Sequence, residues 1–204
     1  MTVEIFVARH GQNEDNVNGI LNGHRDLPLT ELGREQARQL GKGIKEAELT
    51  FDAVYSSPLY RAFETAEIVA DIAGLPTPQK LDDLIERDFG IMTGKQISQI
   101  ENLCSPDDLL KTDIITYFLK PEGGETFPDL TIRAQRILDE IRAMHSTGKV
   151  LLVCHGDIGK MIYKVANNKD WKDVLSDFHF GNGDLIDVSG VGEAHKIKLE
   201  QFNH

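Results

Sequence analysis

Two apolar runs in this chain end in the same dipeptide. Residues 3–8, VEIFVA, lead into Arg9-His10-Gly11, and residues 149–154, KVLLVC, lead into His155-Gly156. A short, nearly continuous apolar run is the pattern of a strand covered on both faces. Strands of that kind lie in parallel sheets flanked by helices, so these two segments call for a layered α/β fold.

The sequence between and after them supports the alternation. Thr30 can cap a helix that has Glu31 in its first turn and an apolar stripe of Ala37, Leu40 and Ile44. DAVYSS (52–57) reads as a strand, and Ser57-Pro58 as a helix start, with serine at the N-cap and proline at the first helical position. Ala62, Ala66, Val69 and Ala73 share one face of that helix, which Gly74 and Pro76 end. A long helix is expected from about Thr126 to His145, burying Leu130, Ala134, Ile137, Leu138, Ile141 and Met144. Another follows the second His-Gly, through Ile158, Met161, Ile162 and Val165. DLIDVS and HKIKLEQF read as two closing strands, the last at a sheet edge. Residues 75–125 break the rhythm and read as an insertion into a single domain spanning 1–204. Within it, DLLKTDIITYFLK (108–120) is either an insertion helix packed on the body or a lid lining a substrate pocket.

Composition narrows the function classes. The net charge of −11, from 22 basic and 33 acidic residues, argues against nucleic acid or an anionic membrane surface as the main partner. An anionic ligand would need locally concentrated positive charge. No apolar run approaches the roughly 18–20 residues of a membrane span, and the start lacks a signal-peptide pattern. Cys104 and Cys154 form no CxxC pair and fit a reducing cytoplasm, the expected location. The seven histidines make no HxxxH or HExxH pattern, so no metal site and no cofactor is expected. GIMTGK fails as a phosphate loop: its glycine spacing is one short, and no Ser or Thr follows Lys95.

Ligands of open α/β sheets bind outside the carboxyl ends of the strands, where both His-Gly pairs fall. Glycine there lets the chain turn sharply and lets a ligand approach the backbone. Neutral histidine is a good nucleophile toward phosphorus, and a transferring phosphoryl group needs cationic donors around it. Arg9 is adjacent to His10, and Arg61 falls in the first turn after Ser57-Pro58, where a helix N-terminus would add free backbone N–H groups. Taken singly, Arg61 could equally be a solvated helix arginine, and Glu86 a partner of Arg87.

ARHG, NGHRDLPLTELGREQA, SSPLYRAFETAE, LIERDFGIMTGK, PEGGET and VCHG stand in this order. The series resembles the histidine phosphatase superfamily, the group that includes the cofactor-dependent phosphoglycerate mutases, from about residue 3 to residue 190. The resemblance implies a three-layer α/β/α sandwich with a mostly parallel sheet, the insertion capping the strand carboxyl ends. It also implies a phosphohistidine intermediate formed without metal. By position, His10 matches the nucleophile, Arg9, Arg61 and His155 the phosphate pocket, and Asn16 a polar residue reaching the phosphate. Glu86 matches the acid that protonates the leaving oxygen and later activates water. Asn22 and Gly23 are placed at the pocket mouth, and Gly156 beside the phosphate. Gln12 and Asn13 depart from the usual Glu-Thr or Glu-Ser, and HGDIGK lacks the arginine that often follows the second His-Gly.

Three functions follow: a phosphomonoesterase of small phosphorylated metabolites, a phosphoglycerate mutase, and a non-catalytic phospho-ligand binder. A binder needs no nucleophile and acid together. Mutases of the family resemble one another in carrying a tyrosine, a lysine and an Arg-Arg pair after the glutamate. Here Phe89 holds the tyrosine position, the lysine position falls near Ile97, and no arginine occurs between Arg87 and Arg133. The reading is therefore a phosphatase, with a homodimer left open.

Overall fold

The computed structural model describes residues 2–189. In chain order the elements are β1 (Glu4–Arg9), α1 (Glu14–Val17), α2 (Glu31–Glu46), β2 (Ala53–Ser56), α3 (Tyr60–Ala73) and β3 (Gln79–Lys80). Then come α4 (Ile100–Leu103), β4 (Leu109–Lys111), β5 (Thr116–Phe118), α5 (Phe127–Met144), β6 (Lys149–Cys154), α6 (Gly156–Ala166), α7 (Trp171–Asp177) and β7 (Leu185–Asp187). The main sheet runs β3-β2-β6-β1-β7. Every pairing in it is parallel except that of β1 with β7.

Period-two alternation in β1 divides the core. Ile5 and Val7 pack with Ile137, Leu138, Met161 and Ile162 of α5 and α6. Phe6 and Ala8 pack with Leu40 and Ile44 of α2 and with Ala62, Ala66 and Val69 of α3. Helices thus cover both faces, which explains why neither strand run alternates with polar residues. The third core is small: Phe89, Met92, Ile100 and Phe118 of the segment read as an insertion, with Leu21 from the loop after α1.

The expected helices form with their caps. Thr30 accepts from the Gly33 N–H, Thr126 from the Asp129 N–H, and Gly74 ends α3 in the left-handed region. Four expectations need correction. Ser57 does not cap α3, which starts at Tyr60; its hydroxyl is taken by His155 and the Leu59 N–H. Met144 is half-exposed at the frayed end of α5. The insertion begins after Lys80, since β3 joins the main sheet. Residues 108–120 form no helix: β4 and β5 make an antiparallel hairpin whose turn is tied by the Thr112 hydroxyl to the Ile114 and Ile115 N–H groups. Its β-branched Thr116, Ile114 and Ile115 favour that extended form. DLIDVS supplies β7, and HKIKLEQF lies outside the described residues.

Glycine permits one contact on which the His10 loop depends. A Cβ on Gly33, in the first turn of α2, would land on the Gln12 carbonyl oxygen, and one on Gly11 would land on the Gly33 carbonyl oxygen. The loop after β1 therefore lies backbone to backbone on α2. Gly33→Ala should cost about 1–3 kcal/mol, the range for forcing extra atoms into a packed interior. A urea midpoint unchanged by that substitution would show that the loop can move aside freely.

Candidate active site

β1 and β6 pair in parallel with Arg9 opposite Cys154, so His10 and His155 leave the sheet at the same level. Their rings meet edge-on with centroids 5.0 Å apart, and both residues are buried. His10 Nδ1 lies 2.6 Å from the Gly11 carbonyl oxygen. A carbonyl only accepts, so Nδ1 carries the proton and a neutral ring has its lone pair on Nε2. Arg61 Nε donates to that lone pair at 3.2 Å. Burial first, then the charges of Arg61 and Arg9, hold the His10 pKa well below its usual 6.5.

Arg61, buried in the first turn of α3, also donates from Nη1 to the Arg25 carbonyl (2.6 Å) and from Nη2 to the Gly23 carbonyl (3.0 Å). Burial lowers its pKa to about 10, which leaves it charged at neutral pH. At the start of α3 the Tyr60 N–H is taken by Asp26. Arg9 Nη1 donates to the Phe180 carbonyl at 2.6 Å. Among the described residues, Arg9 Nε and His155 Nδ1 are buried without a hydrogen-bond partner. His155 Nε2 meets the Ser57 hydroxyl at 2.7 Å.

Glu86 is buried and ringed by backbone N–H groups: Arg87 (2.9 Å), Ile158 (3.2 Å) and Asp157 (3.3 Å), the last two in the first turn of α6. Burial, followed by the nearby Asp157 charge, raises its pKa, opposed by the Arg87 N–H and by Arg61. Its segment is fastened by Arg133 of α5, which donates to the carbonyls of Asp83, Ile85 and Glu86. Arg87 does not pair with Glu86. It pairs with Asp157 at 2.8 Å and lies against the rings of Phe89, Phe118 and Phe127.

Arg9, His10, Asn16, Asn22, Arg61, Glu86 and Gly156 line one cavity of about 170 Å³. The insertion contributes Phe89, Ile97, Ile115 and Phe118 to its wall, so it roofs the strand carboxyl ends. Asn16 Oδ1 accepts from Asn182, which also donates to the His10 carbonyl. Gly23 is not on the lining; it serves through its carbonyl on Arg61 and a positive φ of 47°. Sequence reasoning missed Tyr117, Asp157, Lys160 and Asn182. Lys160 could have been found from HGDIGK, since it lies four residues beyond Gly156 and three beyond Asp157, on a shared helix face.

Among the described residues no cluster of His, Cys, Asp or Glu could hold a metal, and no helix is long and apolar enough to cross a membrane. A sequence profile of the histidine phosphatase superfamily (branch 1) matches residues 5–202. The chain belongs to that superfamily. It is similar to a 2,3-bisphosphoglycerate-dependent phosphoglycerate mutase of Sinorhizobium fredii, 31% identical over 98% of this chain and 92% of the relative. It is also 31% identical to the uncharacterized phosphatase PhoE of Bacillus subtilis, over 74% of this chain and 71% of that protein. A putative α-ribazole-5′-P phosphatase from Escherichia coli shares the fold at TM-score 0.77 and 23% identity, over 96% of both chains.

The depressed His10 pKa makes acid sensitivity measurable. Below pH 6.5 an unfolded histidine binds a proton that folded His10 refuses, so its contribution makes stability fall as pH falls through 6.5. Replacing His10 by Gln should reduce the dependence of unfolding free energy on pH, between pH 5 and 6.5, by about 1.4 kcal/mol per unit. Urea unfolding at several pH values measures this; unchanged slopes would mean that His10 is protonated in the folded protein.

Proposed function

We propose that this protein is a phosphomonoesterase of small phosphorylated metabolites that works through a phosphohistidine at His10. The observation that carries the reading is the His10 Nε2 lone pair on the wall of a cavity shared with Arg9, Arg61 and the buried Glu86. Phosphoryl oxygens would draw the Arg61 N–H away from Nε2 and accept from the unpartnered Arg9 Nε. The freed lone pair attacks phosphorus as the P–O ester bond breaks. An alkoxide leaves, and Glu86, whose pKa burial raises, gives it a proton. Water then attacks phosphorus, giving a proton to the Glu86 carboxylate as the P–O bond forms and the P–N bond breaks, and inorganic phosphate leaves with His10 neutral again. The dianion itself repels a Glu86 carboxylate and strengthens this protonation.

The mutase relatives favour a second reading, phosphoryl transfer within phosphoglycerate. A mutase must hold a bisphosphorylated intermediate while it turns, and so needs cations at both ends. The cavity is lined by Arg9, Arg61, Arg87 and Lys160, of which Arg87 is neutralised by Asp157. Lys95 is exposed and not on the lining. Incubation with 3-phosphoglycerate and a trace of 2,3-bisphosphoglycerate decides between them: phosphate release should outrun formation of 2-phosphoglycerate, and the reverse would establish the mutase.

His10→Ala should abolish a trapped phosphoenzyme and reduce p-nitrophenyl phosphate turnover by several orders of magnitude. Retention of a tenth of the activity would remove His10 as nucleophile. Glu86→Gln should reduce alkyl phosphate turnover about 10²–10⁴-fold, the usual contribution of a general acid, and p-nitrophenyl phosphate turnover far less because that leaving group needs no proton. Equal losses would give Glu86 another task.

A further inference from the structure

The cavity has a polar feature that the phosphoryl chemistry leaves unused. Lys160 is buried, lines the cavity, and donates from Nζ to the Tyr117 hydroxyl of β5. That partner is neutral, and among the described residues no carboxylate pairs with the amine. Asp157, on the same face of α6, is committed to Arg87. A buried ammonium without an anion is costly, and proteins rarely keep one unless something supplies the counter-charge.

Geometry sets this pair apart from the phosphate end. Gly156 packs beside the Arg9 guanidinium, with its Cβ position 3.5 Å from Arg9 Cζ. Lys160 starts one turn further along α6, and its partner Tyr117 belongs to β5 of the insertion that roofs the cavity. The cavity wall also carries the apolar rings of Phe89, Phe118 and Phe180. Because Nζ donates to the phenol oxygen, the Tyr117 O–H hydrogen is free to donate onward, and the ammonium keeps two further hydrogens. The pair therefore presents convergent donors and one positive charge, which suits a monoanion with two oxygens; a second phosphate would want more charge.

We propose that Lys160 and Tyr117 form a second polar subsite that binds a carboxylate on the leaving portion of the substrate. The ligand is then a phosphate ester of a small hydroxy acid, its phosphate at Arg9 and Arg61, its carboxylate at Lys160 and Tyr117, and its carbon chain against the aromatic wall. This deepens the phosphatase reading and rests on it for the phosphate end. Burial lowers the Lys160 pKa to about 8, with Asp157 opposing and Arg9 assisting. A carboxylate arriving there would raise it again, so binding in mildly alkaline solution takes up a proton.

The test is calorimetric titration of the full-length His10→Ala protein, which does not turn substrate over, with 3-(phosphonooxy)propanoate and with n-propyl phosphate. The carboxylate ester should bind about 10- to 100-fold more tightly, in line with charge-assisted hydrogen bonds. At pH 8.5, buffers of different ionisation enthalpy should report proton uptake for that ester alone. Adding Lys160→Met should erase both the preference and the uptake, and adding Tyr117→Phe should reduce the preference. The ratio of the two esters within each variant cancels any general loosening of the pocket. Equal binding of both esters, or a preference that survives Lys160→Met, overturns the subsite and leaves the phosphatase reading standing. Binding of neither ester overturns the phosphatase reading, and the subsite with it.

Discussion

Everything at the site depends on the parallel pairing of β1 with β6 in a register that sets Arg9 against Cys154. An antiparallel pairing would send His10 and His155 to opposite ends of the strands. A register slip of one residue would turn one of the imidazoles toward the other helical layer. With the observed register, both chains leave the sheet together, and the helices that follow must start around the same opening. α3 brings Arg61 there on one face, and α6 brings Gly156, Asp157 and Lys160 on the other.

That convergence creates an electrostatic conflict which the chain resolves by keeping the imidazoles neutral. Burial penalises a charged imidazole at both histidines, and the two arginines beside them add to the penalty. Neutrality is what leaves a lone pair on His10. Glu86 meets the converse situation, a buried carboxylate whose proton is favoured by burial and opposed by backbone N–H groups and Arg61. A chain of net charge −11 thus concentrates its positive charge where an anion would enter.

The insertion supplies both Glu86 and much of the apolar cavity wall. Phe89, Phe118 and Phe127 enclose the Arg87 guanidinium, which in turn holds Asp157 at the start of α6. Arg133 fastens the segment of Glu86 from the opposite side. The acid is therefore positioned from two helices, and the hairpin that carries Tyr117 closes the cavity above them.

Much of this was legible in the sequence because it rests on local rules. Apolar runs ending in His-Gly, the Thr30 cap, the helix start near Thr126 and the Gly74 stop each need only neighbouring residues to be read, and each formed. The family's blocks brought Arg9, His10, Asn16, Asn22, Arg61, Glu86 and Gly156 to notice, and they line one cavity. What failed depended on partners far along the chain. Ser57 reads as a cap until His155, 98 residues away, takes its hydroxyl. The helix alternative for 108–120 gives way to cross-strand pairing, while the lid alternative keeps Thr116, Tyr117 and Phe118 on the cavity wall. Lys160 reads as an ordinary lysine on an amphipathic helix, because nothing local says that its neighbour will be a phenol instead of a carboxylate. Sequence determined which elements form and which side chains carry chemistry, since backbone propensity and apolar periodicity act over a few residues. Only the tertiary structure decided who meets whom, since burial, register and hydrogen-bond pairing are properties of the assembled layers.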